Sequence, residues 1–144
     1  MSKELPDHND AEIVLKLYDL RREAVMRQSR DAIGSQFWPK TYEDFSAVTK
    51  PDHPLNTAFR QVSTYWEMAY SFARHGIVNA DFLIENSTEG LFLYAKVQPF
   101  LERFHREANP MAFRNAEWIS TQCDEGRRRF EFVQARVRKM LEAK

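Results

Sequence analysis

Apolar residues recur at intervals of three and four along almost the whole chain, which is the spacing of one face of an α-helix. The first such stripe contains Ile13, Val14, Leu17, Leu20, Ala24 and Val25. Asn9 precedes it, and Glu12 follows three positions later, which is typical of a capping box. The pattern therefore predicts a first helix from Asn9 to about Ile33, ended by Gly34.

Two short helices are predicted between the longer ones. Thr41 and Asp44 have the spacing of a helix start, and the helix that they predict ends near Val48. Asn79 is a second capping residue, and its helix is predicted to end near Asn86.

A long helix is predicted from about residue 54 to 75. Gly76 can adopt the left-handed conformation that ends a helix in a Schellman motif, which would bring Ile77 against Phe72. The apolar residues of this helix fall on one face, and Glu67 falls on the other. We therefore expect Glu67 to belong to a solvated polar stripe.

Two further long helices are predicted in the second half of the chain. The first spans about residues 87–108 and contains Pro99, which is predicted to bend it on the solvent side. The pair Asn109-Pro110 then predicts a cap and a first helical residue. The last helix is predicted to span about residues 110–142, with a candidate interruption at Gly126.

These elements predict an all-α fold, a bundle of four main helices plus one or two short helices. The 144 residues suit one domain over residues 1–144, with residues 1–8 as a flexible tail. Only four glycines and six prolines occur, which is few for an all-β protein with many tight turns.

The charge balance does not favour nucleic acid or a membrane as a partner. The 21 Lys and Arg residues equal the 21 Asp and Glu residues in number. The segment after Gly126 has a local basic excess, formed by Arg127, Arg128, Arg129, Arg136, Arg138, Lys139 and Lys144. Cations near the C-terminus of a helix are favourable without any ligand, so we do not expect nucleic acid to bind there.

The single cysteine, Cys123, excludes an intramolecular disulfide and four-cysteine zinc sites. Its phase with Ile119 and Phe130 predicts a buried thiol. The first ten residues lack the apolar run of a signal peptide, and no stretch reaches the roughly 18 apolar residues of a membrane helix. We therefore expect a cytoplasmic protein.

Catalytic and metal-binding motifs are scarce. Glu102 and His105 form an E-x-x-H pair, but a di-iron site needs a second such pair, which the sequence lacks. No glycine-rich nucleotide motif or nucleophile elbow is present. We expect no catalytic residue, cofactor or metal, and we favour a protein that is not an enzyme.

Arg21 and Gln28 are the candidate contact residues, because both fall within the apolar arc of the predicted first helix. A buried guanidinium requires a carboxylate or several carbonyls. Two interpretations remain open. The Arg21 stem covers apolar surface while its head reaches solvent, or Arg21 and Gln28 form a polar pocket or a partner-facing site.

Three segments carry a resemblance to a known group: YWEMAYSFARHGIVNADFLIEN, LYAKVQPFLERFHREANP and AEWI. Over roughly residues 60–120 the chain resembles small bacterial helical proteins that are classed only as a domain of unknown function. The signals are the Trp66-Glu67 pair, Gly76 and the Lys-Val-Gln-Pro-Phe stretch that ends at Phe100. The resemblance implies a helical fold and no particular activity.

Two function classes follow from these observations. Aromatic residues form 13% of the chain, which favours a protein-interaction module that includes self-association as a homo-oligomer. The alternative is a binder of an anionic small molecule, or an enzyme, with a polar pocket near Arg21 and Gln28.

Overall fold

The computed structural model describes residues 3–144, and over that range it contains helices and no strand, which confirms the all-α prediction. The eight helices of this range are α1 (His8–Arg21), α2 (Ala24–Gln36), α3 (Tyr42–Val48), α4 (Asn56–Arg74), α5 (Ala80–Asn86), α6 (Glu89–Glu107), α7 (Arg114–Gln122) and α8 (Asp124–Glu142). Two predicted long helices, the first and the last, are each divided in two. None of the described helices is both long enough and apolar enough to cross a membrane.

The first predicted helix is interrupted at Arg22 and Glu23, so the prediction of one helix from Asn9 was wrong. Glu23 is the N-cap of α2, and its two carboxylate oxygens accept from the backbone N–H groups of Val25 and Met26, both at 3.0 Å. These bonds replace the carbonyl partners that a continuous helix would supply. The predicted cap Asn9 lies inside α1.

The segment before α1 is tied to the body of the protein. Asp10 is fully buried, and its carboxylate accepts from the Lys3 ammonium at 2.5 Å and from the Asn79 backbone N–H at 3.0 Å. Asp7 caps α1 through the backbone N–H of Asp10, at 3.2 Å. The predicted flexible tail over residues 1–8 lies partly outside the described residues and stays a prediction.

The end of α4 confirms the predicted Schellman motif. Gly76 has a φ of 73°, in the left-handed region that suits glycine. The Ile77 N–H donates to the Phe72 carbonyl at 2.8 Å, and the Gly76 N–H donates to the Ala73 carbonyl at 3.1 Å.

Other predicted features of the short helices and of α6 are also confirmed. The capping box of Thr41 and Asp44 opens α3, and Asn79 caps α5 by accepting from the Phe82 N–H at 2.8 Å. Pro99 is exposed on α6, on the predicted solvent side.

The predicted helix start at Asn109-Pro110 was wrong. Asn109 instead closes a turn by accepting from the Met111 N–H at 3.0 Å. Phe113 then takes a left-handed conformation with a φ of 59°, and α7 begins at the next residue. This conformation costs a bulky residue about 1 kcal/mol or more of strain. The burial of the Phe113 ring must therefore offset that cost.

The break in the last predicted helix lies at Cys123, not at Gly126. Gly126 is buried in the first turn of α8, and a Cβ built there would overlap the Ile119 carbonyl oxygen of α7. The glycine is therefore required by the close approach of the two helices and does not end either of them.

Packing is organised around α4 and α8. Helix α4 packs against α2 and α7, while α8 packs against α5, α6 and α7. Edge-to-face contacts of Phe45 with Phe59 and Phe104 extend the core to α3, with ring centroids 6.3 and 4.9 Å apart. The arrangement leaves a space between the α2–α4 pair and the α6–α8 pair.

Candidate functional site

A cleft of about 750 Å³ occupies this space and is lined by residues of α2, α4, α6 and α8. Its larger apolar lining residues are Ile33, Val62, Trp66, Phe92, Leu93, Phe132 and Val133. Its charged lining residues are Arg30, Glu89, Lys96, Glu125, Arg128, Arg129 and Arg136. The cleft has the size of a small-molecule site and combines an apolar surface with a cationic excess.

Helical periodicity explains how these residues reach one place. On α6, Glu89, Phe92, Leu93 and Lys96 follow the spacing of three and four residues that defines one face. The α8 residues of the cleft show the same spacing from Glu125 to Arg136. Each helix thus presents a mixed face, with apolar and charged residues along the same side.

Ion pairs neutralise part of the charge at the cleft. Arg30 binds Glu89 through two parallel bonds, from Nε and Nη2, both of 2.7 Å. On α8, Glu125 pairs with Arg128 and with Arg129, the latter at 2.7 Å. Such bidentate and networked pairs hold the side chains in defined positions.

Arg136 and Lys96 have no carboxylate partner within the described part of the chain. Arg136 is exposed, and its guanidinium carbon lies 5.8 Å from the centre of the Phe132 ring. An exposed guanidinium beside an aromatic ring is available to a carboxylate or phosphate group.

Lys96 is a buried cation at the wall of the cleft, with 2% of its surface exposed. Its Nζ donates to the carbonyls of Ile33 and Phe37, at 3.2 and 2.9 Å, and lies 3.9 Å from the Trp38 ring centre. Burial, followed by the charge of Lys144, lowers the pKa of Lys96 to about 8. The carbonyls and the ring account for the position of Lys96 without any ligand.

Trp66 is the unusual residue of the cleft. Its side chain is buried, with 3% exposure, and its indole Nε1 has no hydrogen-bond partner among residues 3–144. By contrast, the indole Nε1 of Trp38 donates to the Gly34 carbonyl at 3.0 Å. A buried donor without an acceptor costs about 1–3 kcal/mol, and native proteins contain few of them.

The predicted contact residues Arg21 and Gln28 do not line this cleft. They were predicted to share the apolar face of one continuous helix, but Arg21 lies at the end of α1 and Gln28 lies on α2. Gln28 is exposed. Arg21 is half-buried, with its guanidinium carbon 5.0 Å from the Tyr18 ring centre and 5.9 Å from that of Trp66. Their role in binding a ligand or a partner stays a prediction.

The solvated position predicted for Glu67 was wrong. Its carboxylate accepts from the backbone N–H groups of Asn115 and Ala116, at 3.0 and 2.8 Å, and so caps the start of α7. Burial raises the pKa of the Glu67 carboxyl, and the two N–H groups oppose that shift. Helix α7 covers the face of α4 that the α4 pattern alone assigned to solvent.

Two other candidate residues have structural contacts. Cys123 is buried as predicted, and its thiol lies 3.0 Å from Asp81 Oδ1. Burial and this carboxylate raise the pKa of Cys123 to about 12, which keeps the sulfur protonated and unreactive near neutral pH. His105 Nε2 lies 2.6 Å from the Ala112 carbonyl, and Glu102 joins no cluster of metal-ligating residues in the described chain.

Sequence reasoning missed the cleft because it considered one helix at a time. A partial signal existed on α8, where basic residues and Phe132 share a helical face that was interpreted as solvated. No local signal marks Trp66, since its apolar phase on α4 is that of an ordinary core residue.

Comparison with curated proteins and with solved structures gave no match. A family profile, by contrast, matches residues 6–123, which extends the resemblance from the central helices to α1. The matched segment covers most of the chain and three of the four helices that line the cleft. The chain therefore belongs to the family described as Domain of unknown function (DUF4760).

Proposed function

We propose that this protein binds a small amphipathic anion in the cleft between α2, α4, α6 and α8. The observation that carries the proposal is the composition of the cleft, in which five cationic and two anionic side chains surround an apolar wall. The charge favours an acidic group, and the wall favours a hydrocarbon or aromatic body.

The cleft arginines are not all paired with carboxylates, and this difference indicates where the acidic group of the ligand binds. Glu89 and Glu125 are already engaged by Arg30, Arg128 and Arg129. Arg136 lacks such a partner and lies next to the exposed Phe132. The acidic group of the ligand binds at Arg136, and its apolar body extends over Phe132 and Val133 toward α4.

Isothermal titration with dodecanoate and with dodecyltrimethylammonium tests this proposal, because the two probes share a chain and differ in charge. Dodecanoate is expected to bind more tightly. Arg136→Gln should weaken its binding at least about threefold. The control Lys139→Gln removes an exposed α8 cation that does not line the cleft and should leave binding unchanged.

Gly34→Leu provides a steric test of the same site. Gly34 lines the cleft within α2, where the sequence predicted a break, and a Cβ there meets no atom within 4 Å. The larger side chain should therefore occupy the cleft while the fold is kept. Unchanged dodecanoate binding in a folded Gly34→Leu variant, or equal affinity for the cationic probe, would contradict the proposal.

The second candidate function is self-association, and one observation favours it. Four large apolar side chains on α1 and at the start of α2 are exposed: Leu15, Tyr18, Leu20 and Val25, at 67%, 48%, 45% and 57%. Leu15 and Tyr18 are three residues apart and share a face of α1. The proposed partner of this face is a second copy of the chain.

Light scattering coupled to size-exclusion chromatography tests self-association. The unaltered protein is expected to elute as a dimer and Leu15→Glu as a monomer, because the substitution places a charge in the apolar contact. Lys16→Glu introduces the same acidic side chain at the neighbouring exposed position, with an even larger change of net charge, and should remain dimeric. A monomeric unaltered protein would exclude this second function.

A further inference from the structure

We infer that the ligand carries a hydrogen-bond acceptor, of the carbonyl class, that binds the indole N–H of Trp66. The inference rests on the proposed function and defines its ligand more narrowly. The expected ligand is an apolar acid with an oxo group, with the acidic group at Arg136 and the oxo group at Trp66.

The Trp66 donor stands alone in the described structure. Among residues 3–144, its Nε1 is the one buried side-chain nitrogen or oxygen without a hydrogen-bond partner. The same residue lines the cleft between α2, α4, α6 and α8, although its nitrogen atom is itself covered by protein. The coincidence of the unpaired donor with the cleft is the observation that points to a ligand.

The neighbours of Trp66 do not satisfy the donor. Its ring packs edge-to-face with Tyr65 at 4.9 Å and is tilted against Tyr70 at 5.8 Å. The hydroxyls of both tyrosines donate to backbone carbonyls elsewhere. The Arg21 guanidinium, 5.9 Å from the ring centre, contains donors only.

The chemistry of the donor restricts its partner. An indole nitrogen donates one hydrogen bond and accepts none, so the complementary group must present a lone pair. A ligand with a methylene at this point would leave the donor unpaired, whereas a carbonyl oxygen would pair it. Sites that hydrogen-bond a ligand discriminate strongly against analogues that lack the bonding group.

A matched pair of anions tests the inference. Para-benzoylbenzoate and para-benzylbenzoate have the same rings and carboxylate, and they differ by a carbonyl in place of a methylene. The unaltered protein is expected to bind the benzoyl compound about tenfold more tightly. Trp66→Phe, which keeps an aromatic ring but removes the donor, should reduce that preference to less than about twofold.

Trp118→Phe is the control, because Trp118 lies on α7 and does not line the cleft. It should retain the full preference for the carbonyl compound. In an NMR spectrum, the indole N–H resonance that Trp66→Phe removes should shift downfield with the benzoyl compound and not with the benzyl compound.

The outcomes separate the inference from the proposed function. Equal affinities for the two compounds, or a preference that survives Trp66→Phe, would overturn the inference alone if binding still depends on Arg136. Failure of both compounds to bind would overturn the proposed function and the inference together.

Discussion

Trp66 and Glu67 are neighbours on α4, but their polar atoms meet opposite conditions. At the joint between α4 and α7, both carboxylate oxygens of Glu67 accept backbone N–H groups. Beside the cleft, the buried indole nitrogen of Trp66 has no protein partner within the described range. The Glu67 carboxylate is therefore fully paired by α7, whereas the indole N–H of Trp66 lacks an acceptor.

Two glycines repeat this contrast. Gly126 lies where α8 meets α7, and the Ile119 carbonyl leaves no room for a Cβ. Gly34 lies at the cleft, and nothing occupies the position of its missing Cβ. Glycine is thus required by a close contact at position 126, whereas no atom opposes a larger residue at position 34. Substitutions at the two positions should therefore have opposite effects on stability.

The largest effect is expected from Gly126→Ala. The new methyl group would overlap a backbone oxygen, so α7 and α8 would have to move apart, at a cost of about 3 kcal/mol or more in unfolding free energy. Urea unfolding followed by circular dichroism measures it. A loss below about 1 kcal/mol would show that the α7–α8 approach is adaptable.

A second effect concerns the cation at the wall of the cleft and depends on pH. The pKa of Lys96 is lowered in the folded state, so the cost of burying its charge is fully present below pH about 8 and disappears as pH rises toward about 10.5. The stability of the unaltered protein relative to Lys96→Met should therefore increase by about 2 kcal/mol between pH 8 and pH 10.

The relative measurement is needed because buried tyrosines and Cys123 titrate in the opposite sense at high pH. Their contributions cancel between the two proteins. A stability difference that stays constant over this pH range would show that Lys96 remains protonated in the folded protein up to pH 10, and that burial does not lower its pKa.

Glu67→Gln is expected to weaken the contact between α4 and α7, with a smaller loss of stability than Gly126→Ala causes. Glutamine supplies one acceptor oxygen, so the N–H of Asn115 or of Ala116 would face an amide NH₂ group instead. The expected loss is about 1.5 kcal/mol at pH 7, measured by urea unfolding. The control is Glu117→Gln, whose carboxylate is 42% exposed and pairs with Arg114, and which should lose less than about 0.5 kcal/mol.

Gly34→Ala should give the smallest effect, and in the opposite direction. Alanine is favoured over glycine inside a helix, and no atom opposes its Cβ here, so the unfolding free energy should rise by about 0.8 kcal/mol. A thermal melt detects the gain. A loss of stability would mean that the cleft side of α2 is closed in solution.

The sequence was sufficient where a signal was local. The amphipathic pattern of α4, the glycine at its end and the caps of α3 and α5 depend on residues within one or two turns. The break at Arg22-Glu23 could not be predicted from the sequence, because both residues are good helix formers. It is visible only in the structure, where Glu23 caps α2.

The candidate site could not be predicted from the sequence for a different physical reason. The contacts of Glu67 come from α7. The cleft beside Trp66 is formed with residues of α2, α6 and α8, and all of these helices are distant from residues 66 and 67 in sequence. A periodic pattern specifies which face of a helix is apolar, but it does not specify which partner covers that face or where two pairs of helices leave a space.

The break at Arg22 and Glu23 has a consequence for the order in which the protein opens. Helix α1 fully buries only Asp10 and Leu17, and its Ile13 and Val14 are partly buried against the core, so we expect it to detach at the break more easily than the central helices. Amide hydrogens of α1 should then exchange through local opening, well before those of α4 and α6, whose exchange requires cooperative disruption of the core. We therefore expect residues 8–21 to behave as a separate foldon, whose release leaves the cleft and the α4–α7 joint in place.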